Sequence, residues 1–414
     1  MIYGIFSTIA FIIILPFWLL LGVFKPKLVY GFKEKFGFFA TPVLKKAKTI
    51  LFYGVSVGEV IAMDNLIKKT RETYPENNIV LMTGTKTGQE IAHKKLGEVA
   101  DFITYFPFDF PFCINNMLNK IKPVAIFVME TELWPNFANV VKSKKIPLYI
   151  INGRISDRTY KSYKKLSFFF VPILRKYTNI FTQSEQDNQK LISIGANPDT
   201  TKVMGNLKFD IKKPDVSELN FNKNPQHKIL IAGSTHSGED EIVLATFSQI
   251  KKDIQNLKLI IAPRHPERAA AVYSLMKNSG LECSKRSEKA DFENNDIILL
   301  DTMGELGKLY SVCDVAFIGG SFNKTGGHNP LEATIFNKPV VSGASTHNFK
   351  DIYAILTHSN AAKIVKTQEE LKAHTYKLMT DETFYKSASG DCEEVFEQNS
   401  GALKFVMDVL QTLV

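Results

Sequence analysis

Cysteine is scarce and scattered. Cys113, Cys283, Cys313 and Cys392 stand far apart in 414 residues, and no two have the spacing of zinc ligands or of a redox pair. That excludes a disulfide framework, and the four suit a reducing compartment as small buried apolar groups. No Asp-x-Asp occurs anywhere, no short repeat recurs and no low-complexity tract interrupts the chain. Solenoid and disordered classes are therefore excluded.

The longest absence is of charge. None of the first 24 residues is charged, and Lys25, Lys27, Lys33 and Lys35 then follow closely. A helix of that length spans about 36 Å, against a hydrocarbon core of about 30 Å. A secretory signal would carry a basic start and a small-residue cleavage site, and neither is present. A buried core helix is the other reading, because Pro16 and Gly22 interrupt the run. Residues 1–24 are expected to be a membrane anchor, and the lysines after it put the body on the cytoplasmic side of the inner membrane. Net charge is +9 overall, with +12 in residues 1–210 and −3 in the remainder. Nucleic acid or anionic lipid would attract such a basic half. Beside an anchor, inner membrane lipid is the expected partner and nucleic acid is not.

What remains is an alternation of short apolar runs and amphipathic stretches. Ile50–Val55, Ile79–Thr83, Phe102–Phe106, Val124–Met129, Leu148–Asn152 and Ile180–Gln183 read as strands. A polar stretch from Asp210 to His227 reads as a linker. Ile229–Ala232, Leu259–Ala262, Ile297–Leu300, Val315–Ile318 and Val340–Ser342 resume the pattern. Such βα series predict an α/β fold with two parallel sheets facing across a cleft, and ligands at the strand carboxyl ends. The expected parts are the anchor (1–24), a first domain (25–211), a second domain (212–393) and a C-terminal helix (394–414) crossing back to the first.

Chemistry-bearing residues gather at those strand ends. Gly54-Val55-Ser56-Val57-Gly58-Glu59 closes the first strand, and Glu59 is either a helix-start acid or a general base. Thr83-Gly84-Thr85-Lys86-Thr87-Gly88 is either a phosphate cradle without Walker spacing or an ordinary helix start. Glu130 and Glu132 follow a strand beside Trp134, a combination suited to sugar hydroxyls, although Glu132 could instead cap the helix at Pro135. Arg154 to Phe170 reads as one basic and aromatic helix, either a solvated face or a rest for lipid headgroups. Lys208 is either a surface lysine or a counter-charge for a leaving phosphate.

In the second half, Gly233 to Glu239 closes the first strand, and Pro263-Arg264 offers a guanidinium at the next. Gly304, Glu305 and Leu306 open a short helix. Gly326-Gly327-His328-Asn329-Pro330-Leu331-Glu332 reads as a glycine-cleared mouth before a capped helix, with Asn329 as N-cap and Pro330 next.

With these segments in hand, the chain resembles the 3-deoxy-D-manno-octulosonic acid (Kdo) transferases of Gram-negative bacteria. The likeness rests on SVGE (56–59), ETELWPN (130–136), NGRISDR (152–158), QSEQD (183–187), GNLKFD (205–210), AGSTHSGE (232–239), PRHPER (263–268) and GGHNPLEA (326–333), in that order. It implies a GT-B glycosyltransferase with two Rossmann-like domains, moving Kdo from CMP-Kdo to a lipid A precursor, lipid IVA, in lipopolysaccharide biosynthesis. It assigns Glu59 as base, with Glu130 and Lys208 stabilising the transition state. It assigns CMP to Pro263, Arg264, Gly304, Glu305, Leu306, Asn329, Pro330, Leu331 and Glu332. Neither a metal nor another cofactor is implied, since lysine, arginine and amides can meet a monophosphate. Two positions depart from the family: Val55 replaces the usual alanine and Gly84 the usual threonine. The rivals are another membrane-associated GT-B enzyme with a lipid acceptor, and a non-catalytic membrane-bound nucleotide sensor.

Overall fold

The computed structural model describes residues 30–414 apart from 41–43, 45, 218, 220, 222, 223 and 289–291. The expected anchor, residues 1–24, lies outside the described residues. Among those described, no helix is long and apolar enough to cross a membrane. The chain forms two compact units. One runs to Ile211 and takes in Asn399–Val414; the other is Lys212–Gln398.

The first unit is built on seven parallel strands: β1 (Lys48–Gly54), β2 (Asn77–Thr83), β3 (Phe102–Tyr105), β4 (Ala125–Met129), β5 (Leu148–Gly153), β6 (Asn179–Thr182) and β7 (Thr201–Val203). Their order is β3-β2-β1-β4-β5-β6-β7. The central strands are apolar on both faces because helices cover both. Along β1 and β2, Leu51, Tyr53, Val80 and Met82 belong to one core, while Ile50, Phe52, Ile79 and Leu81 belong to the other. This period-2 division is the physical meaning of an uninterrupted apolar run.

The second unit repeats the plan with β8 (Lys228–Thr235), β9 (Leu257–Pro263), β10 (Cys283–Lys285), β11 (Ile297–Leu299), β12 (Val315–Ile318), β13 (Val340–Ser342) and β14 (Ala362–Ile364). The order is β10-β11-β9-β8-β12-β13-β14, all parallel. In each sheet the strand order reverses beside the unit's first strand, between β1 and β4 and between β8 and β12. Those reversals are where open α/β sheets bind ligands.

Helix Glu382–Asn399 runs through position 394, so the chain turns later than expected, at Ser400 and Gly401. Gly401 has φ 95°, a left-handed value that suits glycine. Helix Ala402–Gln411 then packs on the first sheet, with Ala402, Val406 and Leu410 fully buried. Burying the Val and Leu stabilises the join by roughly 3–6 kcal/mol. Asp210, at the end of the first sheet's chain, accepts the amide hydrogens of Gly401 at 2.7 Å and Leu403 at 2.6 Å. The aspartate of GNLKFD is thus an N-terminal cap for a helix 191 residues away in sequence.

The segment Arg154 to Phe170 is not one helix. Helices Asp157–Lys165 and Ser167–Leu174 meet at Leu166. The second carries Pro172, while Phe169 and Phe170 pack on the core and Phe168 is exposed. All four cysteines are buried and free.

Candidate active site

Glu59 lies in the first turn of helix Val57–Thr73, directly after β1. Its carboxylate accepts the Val55 amide at 2.8 Å and the Ser56 hydroxyl at 2.8 Å, while Ser56 Oγ accepts the Glu59 amide. The glutamate is therefore a helix-start acid by geometry, folded back in a variant of the capping box. It is also 8 % exposed. Burial pushes its carboxyl up to about 7, reinforced by the charges of Glu130 and Glu132 and opposed by the bonds from Val55 and Ser56. The capping geometry does not exclude a base at this position: the bonds fix the carboxylate, and burial gives it a proton affinity suited to neutral pH.

Glu130 follows β4, the strand beside β1. Its φ is 56°, a left-handed value costly for a residue with a side chain, at about 1–3 kcal/mol. Its amide donates to Ile151 O at 2.9 Å and its carboxylate pairs with Arg154 Nε at 3.0 Å. Glu132 accepts the Trp134 ring N–H at 3.0 Å. Burial holds its carboxyl above the usual range, the Trp134 bond pulling against it. Glu132 does not cap the helix at Pro135. Asp109 does, accepting the amides of Asn136 at 3.1 Å and Phe137 at 2.7 Å. Tyr53 stacks on Phe106 at 4.0 Å, and Phe106 lies 5.7 Å from Trp134, so an aromatic wall backs the carboxylates.

A buried polar lattice at the ends of β5 and β6 fixes the backbone at Lys208. Asn152, at the end of β5 with φ 55°, accepts the Leu207 amide at 2.9 Å. Gln183 donates to Asn152 O at 3.1 Å and accepts from Asn206 Nδ2 at 3.2 Å. Asn206, 1 % exposed, accepts the Lys208 amide at 3.0 Å. One residue each from NGRISDR, QSEQD and GNLKFD thus sets the lysine's backbone.

Thr83 to Gly88 is an ordinary helix start. Val55 O accepts the amides of Gly84 and Thr85, and Thr85 Oγ1 accepts that of Gly88, so these amides already have partners. A Cβ on Gly84 would lie 2.7 Å from Val55 Cγ1. The two departures from the family pattern are therefore one steric exchange: the larger residue at 55 requires the smaller at 84.

In the second unit the expected donor residues converge on the end of β8. Arg264 donates its amide to Thr235 O at 3.0 Å, and its charge acts on both Glu332 and His328. A Cβ on Gly233 would lie 1.9 Å from Tyr310 Oη and 3.4 Å from Leu306 Cδ1, so this glycine permits Tyr310 and Leu306 to close on the strand. Tyr310, fully buried, feels the charge of Glu332. Gly304 has φ 82°. Glu305 bonds Thr302 and Arg286; burial works against them, but these partners hold its carboxyl below the usual range. Asn329 Oδ1 accepts the Leu331 amide at 3.1 Å. The helix that follows Pro330 is short, Leu331–Thr334, so the loop rather than a long helix shapes this mouth. Burial raises the Glu332 carboxyl, with Asn329 and Arg264 opposing.

Glu239, the last residue of AGSTHSGE, belongs to this site, although the sequence reading assigned it no role. At 1 % exposure it accepts four amide hydrogens: Gly320 at 2.6 Å, Ser321 at 2.8 Å, Phe322 at 2.9 Å and His236 at 2.9 Å. It ties the loop after β8 to the loop after β12 across the strand-order reversal. Its place three residues after His236, at a helix start, was the local signal for that role.

Comparison with known proteins sharpens this geometry. The profile described as 3-Deoxy-D-manno-octulosonic-acid transferase (kdotransferase) matches residues 30–211. A 3-deoxy-D-manno-octulosonic acid transferase of Haemophilus influenzae is 33% identical over 406 residues, covering 96% of this chain and 95% of that protein. The chain belongs to the Kdo transferase family. It is accordingly a glycosyltransferase. The fold is shared more widely. A UDP-GlcNAc 2-epimerase from Neisseria meningitidis, solved bound to UDP-GlcNAc, is 14% identical over 88% of this chain and 100% of its own, with a TM-score of 0.54. MurG of Acinetobacter baumannii is 13% identical over the same shares, with a TM-score of 0.53. At such identities the likeness speaks for a GT-B architecture alone.

Proposed function

We propose that this Kdo transferase takes Kdo from CMP-Kdo and places it on lipid IVA, the lipid A precursor, in lipopolysaccharide biosynthesis. The observation that carries the reading is Glu59: a carboxylate pinned at the β1–β4 reversal and buried there, which pushes its carboxyl up to about 7. It takes the proton of an acceptor hydroxyl as that oxygen attacks the anomeric carbon opposite the phosphate, and the configuration inverts. Glu130 and the aromatic wall orient sugar hydroxyls, and Lys208 offsets charge on the departing phosphate. In the second unit Pro263 and Arg264, Gly304 to Leu306, and Asn329 to Glu332 hold CMP, with the guanidinium on the phosphate.

The first half's +12 suits an acceptor bearing phosphates. In the same reading residues 1–24 hold the enzyme on the cytoplasmic side of the inner membrane. Incubating the full chain with CMP-Kdo and lipid IVA and weighing the product tests the reaction. A mass increase of one or more Kdo units is expected and gives their number; CMP-Kdo consumption without a heavier lipid would refute the acceptor.

A further inference from the structure

We infer that His236 and His328 form a coupled imidazole pair that takes one proton from solvent when an anionic phosphodiester binds at the donor loops. The inference rests on the reading that these loops hold the phosphate of a CMP-linked donor.

The geometry is specific. The two Nε2 atoms are 2.9 Å apart and the rings lie 5.2 Å apart at 11°. A bond between two ring nitrogens needs one N–H and one lone pair. The donor ring then keeps a lone pair on Nδ1. A proton added there makes an imidazolium and leaves the Nε2–H···Nε2 bond in place, now charge-assisted. A second proton, on the acceptor Nε2, would set N–H against N–H. The capacity of the pair is one proton.

Its surroundings keep that proton off in the free unit. Burial, first, and then Arg264, His236 and His265 bring His328 down to about 4. His236 is lowered by burial, with His265, Arg268 and Arg264 adding to it. Of these, Arg268 is paired with buried Asp240, and His265 lies 3.7 Å from Glu267. The opposing charge nearest His236 is Glu239, whose oxygens are committed to four amides. Gly320, with φ 69°, lets the loop lie against the His328 ring, where a Cβ would come within 3.0 Å of Cδ2. Arg264 and His265 are exposed and His236 and His328 half-buried, so an anion can approach from the arginine side. Such an anion offsets the positive field of Arg264 and its neighbours, which together with burial holds the imidazoles neutral. The pair then protonates and meets it as a cation.

The test is calorimetric titration of the full chain with cytidine 5′-(methyl phosphate) in two buffers of different ionisation enthalpy at pH 6.5. The diester is chosen because a phosphomonoester itself titrates near pH 6. Uptake of a few tenths to one proton per ligand is expected. Affinity should rise as pH falls from 8 to 6, by up to about tenfold per unit, because the bound state holds more protons. His328→Asn and His236→Gln should each bind more weakly and without uptake. Binding by the unaltered chain with no uptake overturns the inference and leaves the donor reading standing. Failure to bind either the diester or CMP overturns the donor reading, and the inference with it.

Discussion

Glu59→Gln is the perturbation that separates the two roles of this residue. The amide can keep both contacts: Oε1 accepts the Val55 N–H and Nε2 donates to Ser56 Oγ, which can rotate to accept. What is lost is the proton acceptor. A carboxyl raised from 4.5 to about 7 has its ionised form disfavoured by roughly 3 kcal/mol. In the native protein kcat/KM should therefore climb about tenfold between pH 6 and pH 8 and level off above. The Gln variant should lose about 10²–10⁴ in kcat, keep its affinity for CMP, and show no such limb. Stability moves the opposite way. The folded state binds more protons than the unfolded between pH 4.5 and 7, so this group's contribution falls as pH rises through that window. The variant lacks that loss and should gain in melting temperature relative to the native chain between pH 5 and 8. Product formation by mass spectrometry, with thermal melts across pH, measures all of this. Near-normal turnover in the variant, or a native profile flat from pH 8 to 5, would refute the assignment.

Three further outcomes follow from specific contacts. Glu130→Gln removes a charge that raises Glu59, so the acid limb of the pH–rate profile should move to lower pH even as the rate falls; an upward move would contradict the coupling. Gly84→Thr alone should destabilise by about 1–3 kcal/mol through its clash with Val55, and Val55→Ala added to it should restore most of the loss. Denaturant melts of the four chains settle this, and simple additivity would mean the two positions are independent. Asp210→Ala should cost about 1 kcal/mol and speed amide hydrogen exchange across Ala402–Gln411, leaving exchange in β1 unchanged; unaltered exchange in that helix would remove the cap.

The central strands were legible in the chain because burial on both faces demands unbroken apolar runs, which Ile50–Val55 and Val315–Ile318 display. The strands that escaped reading, β7, β10 and β14, are three residues each, and each sits at an edge of its sheet. An edge strand has one partner and a solvated side, so it carries little apolar signal. The break at Leu166 was hidden because lysines and phenylalanines continue through it. Strand-end motifs likewise announced themselves: glycines and acids after an apolar run say that something other than packing is wanted there.

Order along the chain, the family and the candidate carboxylates were thus determined by the amino-acid sequence itself, since each is a matter of local pattern. Tertiary structure alone decided what the groups do to one another. Burial and two neighbouring glutamates set the proton affinity of Glu59, Asp109 rather than Glu132 caps the helix at Pro135, and Glu239 binds two loops that are 81 residues apart. Desolvation and Coulomb energy depend on distances through space, and residues remote in sequence acquire those distances only when the sheet brings their strand ends side by side.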